Sequence, residues 1–514
     1  MKLIADLPAP GYCTLRKYNA RTNIKEQNKE MLFNSIGFAF FLPVVFILYW
    51  FVTNKNLRLQ NVLLLAASYF FYACWDWRFL FLLMFSTLLD YYTGLKMQDA
   101  ISPSKKRYWF WLSVTVNLGF LGIFKYYNFF AGSFAAALAQ AGLQINPWTL
   151  NVILPVGISF YTFHGLSYVI DIYKDRIRAE RSFVDYAVFV SFFPLLVAGP
   201  IERATHLLPQ IKKERTFDYK KAVDGLRQIL WGLFKKIVIA DNCAEFANHI
   251  FNNAADYSGS TLLLGALFFT FQIYGDFSGY SDIALGTARL FGIELLRNFA
   301  FPYFSRDIAE FWRRWHISLS SWFRDYLYIP LGGSKGKTWM KVRNTFIIFL
   351  VSGFWHGANW TFIAWGALNA IYFMPLLLTK ANRSNLEIVA QGKLLPSFKE
   401  FLQILLTFTL TVFAWIFFRA ESIGKALSYI SGIFSNSFFT IPKFSGLSIS
   451  VSATIMLVVF FVLIEWAGRE QQYAIATIGL KWKRTFRWCF YAFLIFFIGM
   501  FMRTTETPFI YFQF

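Results

Sequence analysis

From Met31 onward, long apolar runs alternate with short polar connectors that are mostly basic. The apolar runs fall at about 33–52, 59–75, 78–94, 108–130, 152–173, 184–201, 226–248, 260–285, 345–378 (long enough for two), 401–418, 447–466 and 486–502, and roughly 20 such residues make one helical crossing of a bilayer. They predict roughly 11–13 membrane helices, some of them re-entrant or interfacial. A membrane β-barrel would instead show short segments with every second residue apolar. The predicted class is therefore all-α and polytopic. Two stretches interrupt the pattern: residues 203–221 are charged and loop-like, and residues 306–343 are aromatic and basic together. No internal repeat is visible, which counts against an inverted-repeat transporter.

Residues 1–30 are polar and of mixed charge, with no apolar core of a signal peptide. They are expected to form a leader, or to precede a true start at Met31. Residues 31–514 read as one membrane domain.

Composition agrees with the pattern. Of 514 residues, 56% are hydrophobic and 15% charged, against about 25% charged in soluble domains. The net charge of +21 sits in short loops, such as Lys105, Lys106 and Arg107, or Lys481, Lys483 and Arg484. That distribution follows the positive-inside rule and suits anionic lipid. With Lys55, Arg58 and Lys96 in the same cytoplasmic set, the start of the first span lies outside. Arg16, Lys17 and Arg21 are awkward there, which favours Met31 as the start. No folded basic domain exists to hold nucleic acid, although a basic cytoplasmic face can attract an acidic soluble partner. Cys13, Cys74, Cys243 and Cys489 have neither zinc nor disulfide spacing. No phosphate-binding or dinucleotide-binding glycine motif is present.

Against this background the ionisable residues stand out. His356 lies in Ser-Gly-Phe-Trp-His-Gly-Ala-Asn-Trp, inside an apolar run. An ionisable group there is costly, so function competes with a purely structural histidine. Phe311 to Gly333 reads as one helix with Phe311, Trp315, Leu319, Trp322 and Tyr326 on a stripe, closed by Pro330 and Gly332-Gly333. His316 falls mid-helix near Trp312, Leu319 and Ser320, with Arg313, Arg314 and Arg324 on other faces. By pattern alone this block is an interfacial anchor. Two histidines entering one membrane interior suggest proton handling, with one as base on a hydroxyl and the other orienting substrate or stabilising charge. Asp276 and Asp282 lie among glycines in an apolar setting and need partners, for which Arg306, Arg313 or Arg314 are candidates. Structural pairing is the favoured role for both. Glu202 and Arg203, just after Gly199-Pro200, read as a turn with a local ion pair. No short ligand spacing supports a metal, so none is expected.

Five motifs in order resemble the membrane-bound O-acyltransferase family across nearly the whole chain from Met31: the opening Phe-Leu-Pro segment, Ala-Gly-Pro-Ile-Glu-Arg, Tyr-Gly-Asp-Phe-Ser-Gly-Tyr-Ser-Asp, Phe-Trp-Arg-Arg-Trp-His-Ile-Ser-Leu and Ser-Gly-Phe-Trp-His-Gly. The resemblance is to the alginate O-acetylase branch, related to the teichoic acid D-alanyl transfer protein. It implies helices around a tunnel through the bacterial inner membrane. It also implies His356 as the catalytic base and His316 as the second histidine, orienting the acceptor or stabilising the oxyanion. Asp276, Asp282, Trp312, Arg313, Arg314, Trp315, Ser320, Trp355 and Asn359 are then expected as tunnel lining or structural support. No bound cofactor is implied. The co-substrate is a cytoplasmic acyl thioester, acetyl-coenzyme A or an acyl-carrier protein. The acceptor is an exported polysaccharide such as alginate or a similar exopolysaccharide, reached through a periplasmic or surface acetyltransferase partner. D-alanyl or fatty-acyl transfer within the family, a proton-coupled transporter, and a scaffold are the alternatives.

Overall fold

The computed structural model describes residues 31–502, except 152, 198, 443 and 445–449, together with 509 and 510. The leader 1–30 and its basic residues lie outside the described residues. Every regular element among those described is helical. Leaving aside single turns, in chain order the helices are α1 (Ile36–Ile47), α2 (Leu57–Gln98), α3 (Pro103–Leu121), α4 (Tyr127–Gln140), α5 (Ile158–Tyr173), α6 (Phe183–Ser191), α7 (Ala204–Ile211), α8 (Tyr219–Leu233), α9 (Asp241–Asn252), α10 (Gly259–Leu290), α11 (Ile308–Arg314), α12 (Ile317–Phe323), α13 (Thr338–His356), α14 (Trp360–Leu378), α15 (Phe398–Arg419), α16 (Ile423–Ile433), α17 (Val451–Ala467) and α18 (Arg484–Phe501). Five of them, α2, α10, α14, α15 and α18, are long and apolar enough to cross a membrane, and α17 and residues 36–52 are shorter apolar helices. The chain divides into two compact units, one of residues up to 226 with 284–296, the other of 227–283 with 297 onward.

In the first unit, the two spans expected at 59–75 and 78–94 form one 42-residue element. It is kinked at Asp76, whose φ of −156° and ψ of 110° are extended. The Asp76 carboxylate accepts from the Arg78 backbone N–H at 2.9 Å and so caps the second half. A buried carboxylate between spans is paired, as the hydrocarbon setting requires. Asp90 of α2 accepts from Ser113 at 2.5 Å and Asn117 at 2.7 Å, both on α3.

In the second unit, the run 345–378 divides at Gly357 to Asn359 into the hairpin α13–α14. The two helices touch backbone to backbone. A Cβ on Gly353 would lie 2.2 Å from the Phe362 carbonyl oxygen, and one on Gly366 would lie 2.3 Å from that of Phe349. Glycine is needed at both for that approach.

The block 311–333 differs from its sequence reading. It is not one helix: α11 stops at Arg314, Trp315 is extended, and His316 takes φ 44° and ψ 55° before α12 begins. A strand-like partner holds the break open. Ala300 N–H donates to the Arg314 carbonyl and Ile317 N–H to the Asn298 carbonyl, each at 2.9 Å. The stripe is not an interfacial anchor either, because Phe311, Trp315, Leu319 and Trp322 are all buried. The chain then leaves α12 through a π-helical turn, Arg324–Tyr328, and Gly332 and Gly333 follow with positive φ.

Candidate active site

The break at Trp315–His316 places the second histidine. Left-handed backbone is unfavourable for a residue with a Cβ, and here it turns the imidazole into the unit's interior. Nδ1 of His316 lies 2.9 Å from Oδ1 of Asn298. The same oxygen accepts from the Ser318 hydroxyl at 2.9 Å. An amide oxygen accepts only, so Nδ1 carries the proton and Nε2 carries the lone pair. Nε2 has no hydrogen-bond partner among the described residues. Burial lowers the pKa of this ring and keeps it neutral.

His356 is the last residue of the 19-residue α13, held in place by the glycine-tight hairpin. Its ring is buried against Trp355 at 4.9 Å, Trp365 at 5.2 Å and Phe418 at 5.3 Å. Trp355 also lies 6.0 Å from His316. One indole therefore touches both imidazoles, and the two histidines meet in one aromatic chamber. Trp415 continues the wall, 5.7 Å from Trp365 and 4.9 Å from Trp315. Trp312 packs on Trp365 at 5.6 Å. Phe277 meets His316 edge-on at 4.7 Å, and Phe509 sits 5.9 Å behind it.

The other expected residues divide by what they touch. Trp312, Trp315 and Trp355 belong to the chamber. Asn359 caps α14 by accepting from Thr361 N–H at 3.0 Å and donates to the Glu421 carbonyl at 3.1 Å. Ser320 reaches back toward the Trp315 carbonyl at 3.4 Å. Arg313 donates to the Asn382 and Asn385 carbonyls at 2.8 and 2.7 Å. Arg314 pairs with Glu310 at 2.8 Å, and Arg306 pairs with Glu310 and donates to the Glu387 carbonyl. Arg469 donates to the carbonyls of Val389, Ala390 and Lys393. These arginines hold the connection between α14 and α15.

They are not the partners of the two aspartates. Asp282 pairs with Lys235 at 2.5 Å and accepts from Gln228 at 2.8 Å. Asp276 pairs with Lys236 at 2.9 Å, Lys236 pairs also with Asp241 at 2.8 Å, and Asp276 accepts from Ile510 N–H at 2.7 Å. The lysines sit in a π-helical turn, Phe234–Ala240. Glu202, in the first unit, lies 2.7 Å from Nδ1 of His206 one helical turn on, a local pair, and its own N–H donates to His164 Nε2 at 3.1 Å.

Asn298, Trp365, Trp415 and Phe418 were not predicted. Asn298 adjoins no motif, and the three rings lie in runs that read simply as apolar. Among the described residues no cluster of three metal-ligating side chains occurs.

Residues 173–413 match the model of the MBOAT, membrane-bound O-acyltransferase family. The chain is 40% identical over 447 residues to the "Probable alginate O-acetylase AlgI" of Azotobacter vinelandii, covering 86% of each. It is 38% identical over 432 residues to the "Peptidoglycan O-acetyltransferase" of Helicobacter pylori, covering 78% of this chain and 80% of that one. It is 30% identical over 260 residues to the "Teichoic acid D-alanyltransferase" of Streptococcus thermophilus, covering 47% of this chain and 62% of that one. The chain therefore belongs to the membrane-bound O-acyltransferase family, as a membrane O-acetyltransferase.

Proposed function

We propose that this enzyme takes an acetyl group from a cytoplasmic acyl thioester, acetyl-coenzyme A or an acyl-carrier protein, at the bacterial inner membrane. The group is destined for hydroxyls of an exported polysaccharide. The named relatives act on alginate and peptidoglycan, both of which offer sugar hydroxyls. The observation that carries the reading is the Trp355 indole touching both buried imidazoles.

His356 is the general base. It takes the proton of an acceptor hydroxyl as that oxygen bonds to the thioester carbonyl carbon. The C–S bond then breaks, and the proton returns to the thiolate. A positioned base contributes about 10²–10⁴-fold. Its place at the C-terminus of α13 favours the imidazolium that forms, by roughly 0.3–1 kcal/mol at an exposed helix end and up to about 2 in a partly buried one. His316, with its lone pair on Nε2, suits accepting a hydrogen bond from a second, neighbouring hydroxyl of the acceptor and so orienting it; a neutral ring in this tautomer has no N–H there to offer an oxyanion. The acetyl group then passes to a periplasmic or surface-facing acetyltransferase partner, which completes modification of the polymer.

The test is the acetyl ester content of the exported polysaccharide at matched membrane protein levels. His356→Ala is expected to abolish it. His316→Gly, which keeps the left-handed backbone without strain, is expected to reduce it strongly. Normal acetylation by His356→Ala would overturn the base assignment.

A further inference from the structure

Beside Trp315 the second unit holds a half-open cavity of about 210 Å³. Phe271 and Tyr274 of α10, Tyr303 and Phe304, Phe408 of α15 and Phe461 of α17 form most of its wall. Its polar groups are already engaged. Tyr303 donates to the Thr270 carbonyl at 2.7 Å. Tyr274 donates to Glu465 at 2.6 Å, and Glu465 also accepts from Trp231 at 3.0 Å. A buried water needs two to four polar partners, and a dry apolar cavity of roughly 150 Å³ already holds a benzene-sized guest.

Ile404 and Phe408 of α15 and Val462 of α17 line the cavity and are only half-buried, which points to an opening between these two helices. Their outward residues Leu402, Leu405, Val459 and Leu463 are exposed, and both helices are apolar, so the surface around the opening faces hydrocarbon. One end is marked by an interfacial signature. Trp466 packs on Phe304 at 5.1 Å, Arg469 stacks on Trp466 at 4.1 Å, and the two donate to the Leu394 and Lys393 carbonyls at 2.8 and 2.5 Å, which sets the exposed Lys393 beside them.

We propose that this cavity binds one acyl chain of a membrane phospholipid, entering between α15 and α17 with an anionic headgroup at the Trp466–Arg469 end. Two lining rings, Tyr274 and Tyr303, lie 6.1 and 6.0 Å from Trp315. The bound chain thus braces the residue that precedes His316. The site is independent of the acetyl chemistry assigned to the two histidines.

The experiment places the full chain in nanodiscs containing a phospholipid with a diazirine in one acyl chain, followed by irradiation and peptide mapping. Labels are expected on the peptides of Phe408 and Phe461. Val462→Trp, or the milder Ile404→Phe, should cut that labelling about tenfold, what excluding two methylene groups would cost. Labelling on the Leu402–Leu405 face should persist in both variants. Phosphatidylglycerol should compete better than phosphatidylethanolamine. Labelling of Phe408 and Phe461 that neither variant lowers, or labelling confined to the outer leucines, would overturn the proposal.

Discussion

Asn298 is the residue whose removal tests the chamber most finely. Its single amide oxygen receives both the His316 imidazole and the Ser318 hydroxyl. Asn298→Ala leaves those donors buried without that acceptor. A hydrogen bond of this kind is worth about 0.5–1.5 kcal/mol net, and about 1.4 kcal/mol is a tenfold ratio. Once it is gone, the proton is free to move to Nε2, the nitrogen needed as acceptor. Acetyl ester output at matched membrane levels should fall about 2- to 10-fold, a partial loss where His356→Ala gives a complete one. Asn298→Asp supplies the discriminating control. A carboxylate keeps the proton on Nδ1, so activity should persist at neutral and alkaline pH. The buried charge also favours imidazolium, so output should decline on the acid side at a higher pH than in wild type. Undiminished output from Asn298→Ala would refute the reasoning, as would identical pH profiles for the two variants.

Three further outcomes are expected. Gly353→Ala should force α13 and α14 apart, because its Cβ would meet a backbone oxygen at 2.2 Å; a cost of roughly 1–3 kcal/mol should appear in thermal unfolding and acetate output, whereas Gly119→Ala, facing open space, should be neutral or better. Lys236→Met should remove the buried ammonium that Asp241 and Asp276 share, a loss of roughly 3–5 kcal/mol seen as low folded yield, with partial recovery when Asp276→Asn is added. His206 has a pKa raised chiefly by its hydrogen bond to Glu202; a raised folded value means the stabilisation is present below the unfolded value near 6.5 and is lost as pH rises through the folded one. The unfolding midpoint should therefore drop between mildly acidic and alkaline pH, and His206→Ala should flatten that slope.

Much of this architecture is written locally. That the run 345–378 holds two helices was legible from its length, although the break at Gly357 to Asn359 was placed only by the structure. The kink at Asp76 was foreshadowed by the gap between two predicted spans. The break at His316 was not legible. Phe311, Trp315, Leu319, Trp322 and Tyr326 fit a continuous helical stripe, and what interrupts it is backbone pairing to residues 298 and 300, which no local periodicity encodes. The partners of Asp276 and Asp282 were sought among arginines because those cluster in a conspicuous block. Lys235 and Lys236 fall inside the predicted apolar run 226–248 and were not considered as partners, yet a π-helical turn buries both beside the aspartates. Of the chamber, the two histidines, Trp312, Trp315 and Trp355 could be named in advance. Trp365, Trp415, Phe418 and Asn298 become site residues only when distant segments converge.

The arginine-held connection between α14 and α15 has an evolutionary consequence. Arg306, Arg313 and Arg469 grip it mainly through carbonyl oxygens of residues 382 to 393. Every amino acid supplies a carbonyl, proline included. Apart from Asn385, whose side chain reaches Asp307, and Ala390 and Gly392, whose φ is positive and whose N–H groups donate to Glu400 and Glu470, the path of this segment can be inherited while its spelling drifts. Relatives should vary freely there in sequence yet keep the arginines and the length, leaving an exposed surface free to diversify beside a fixed chamber.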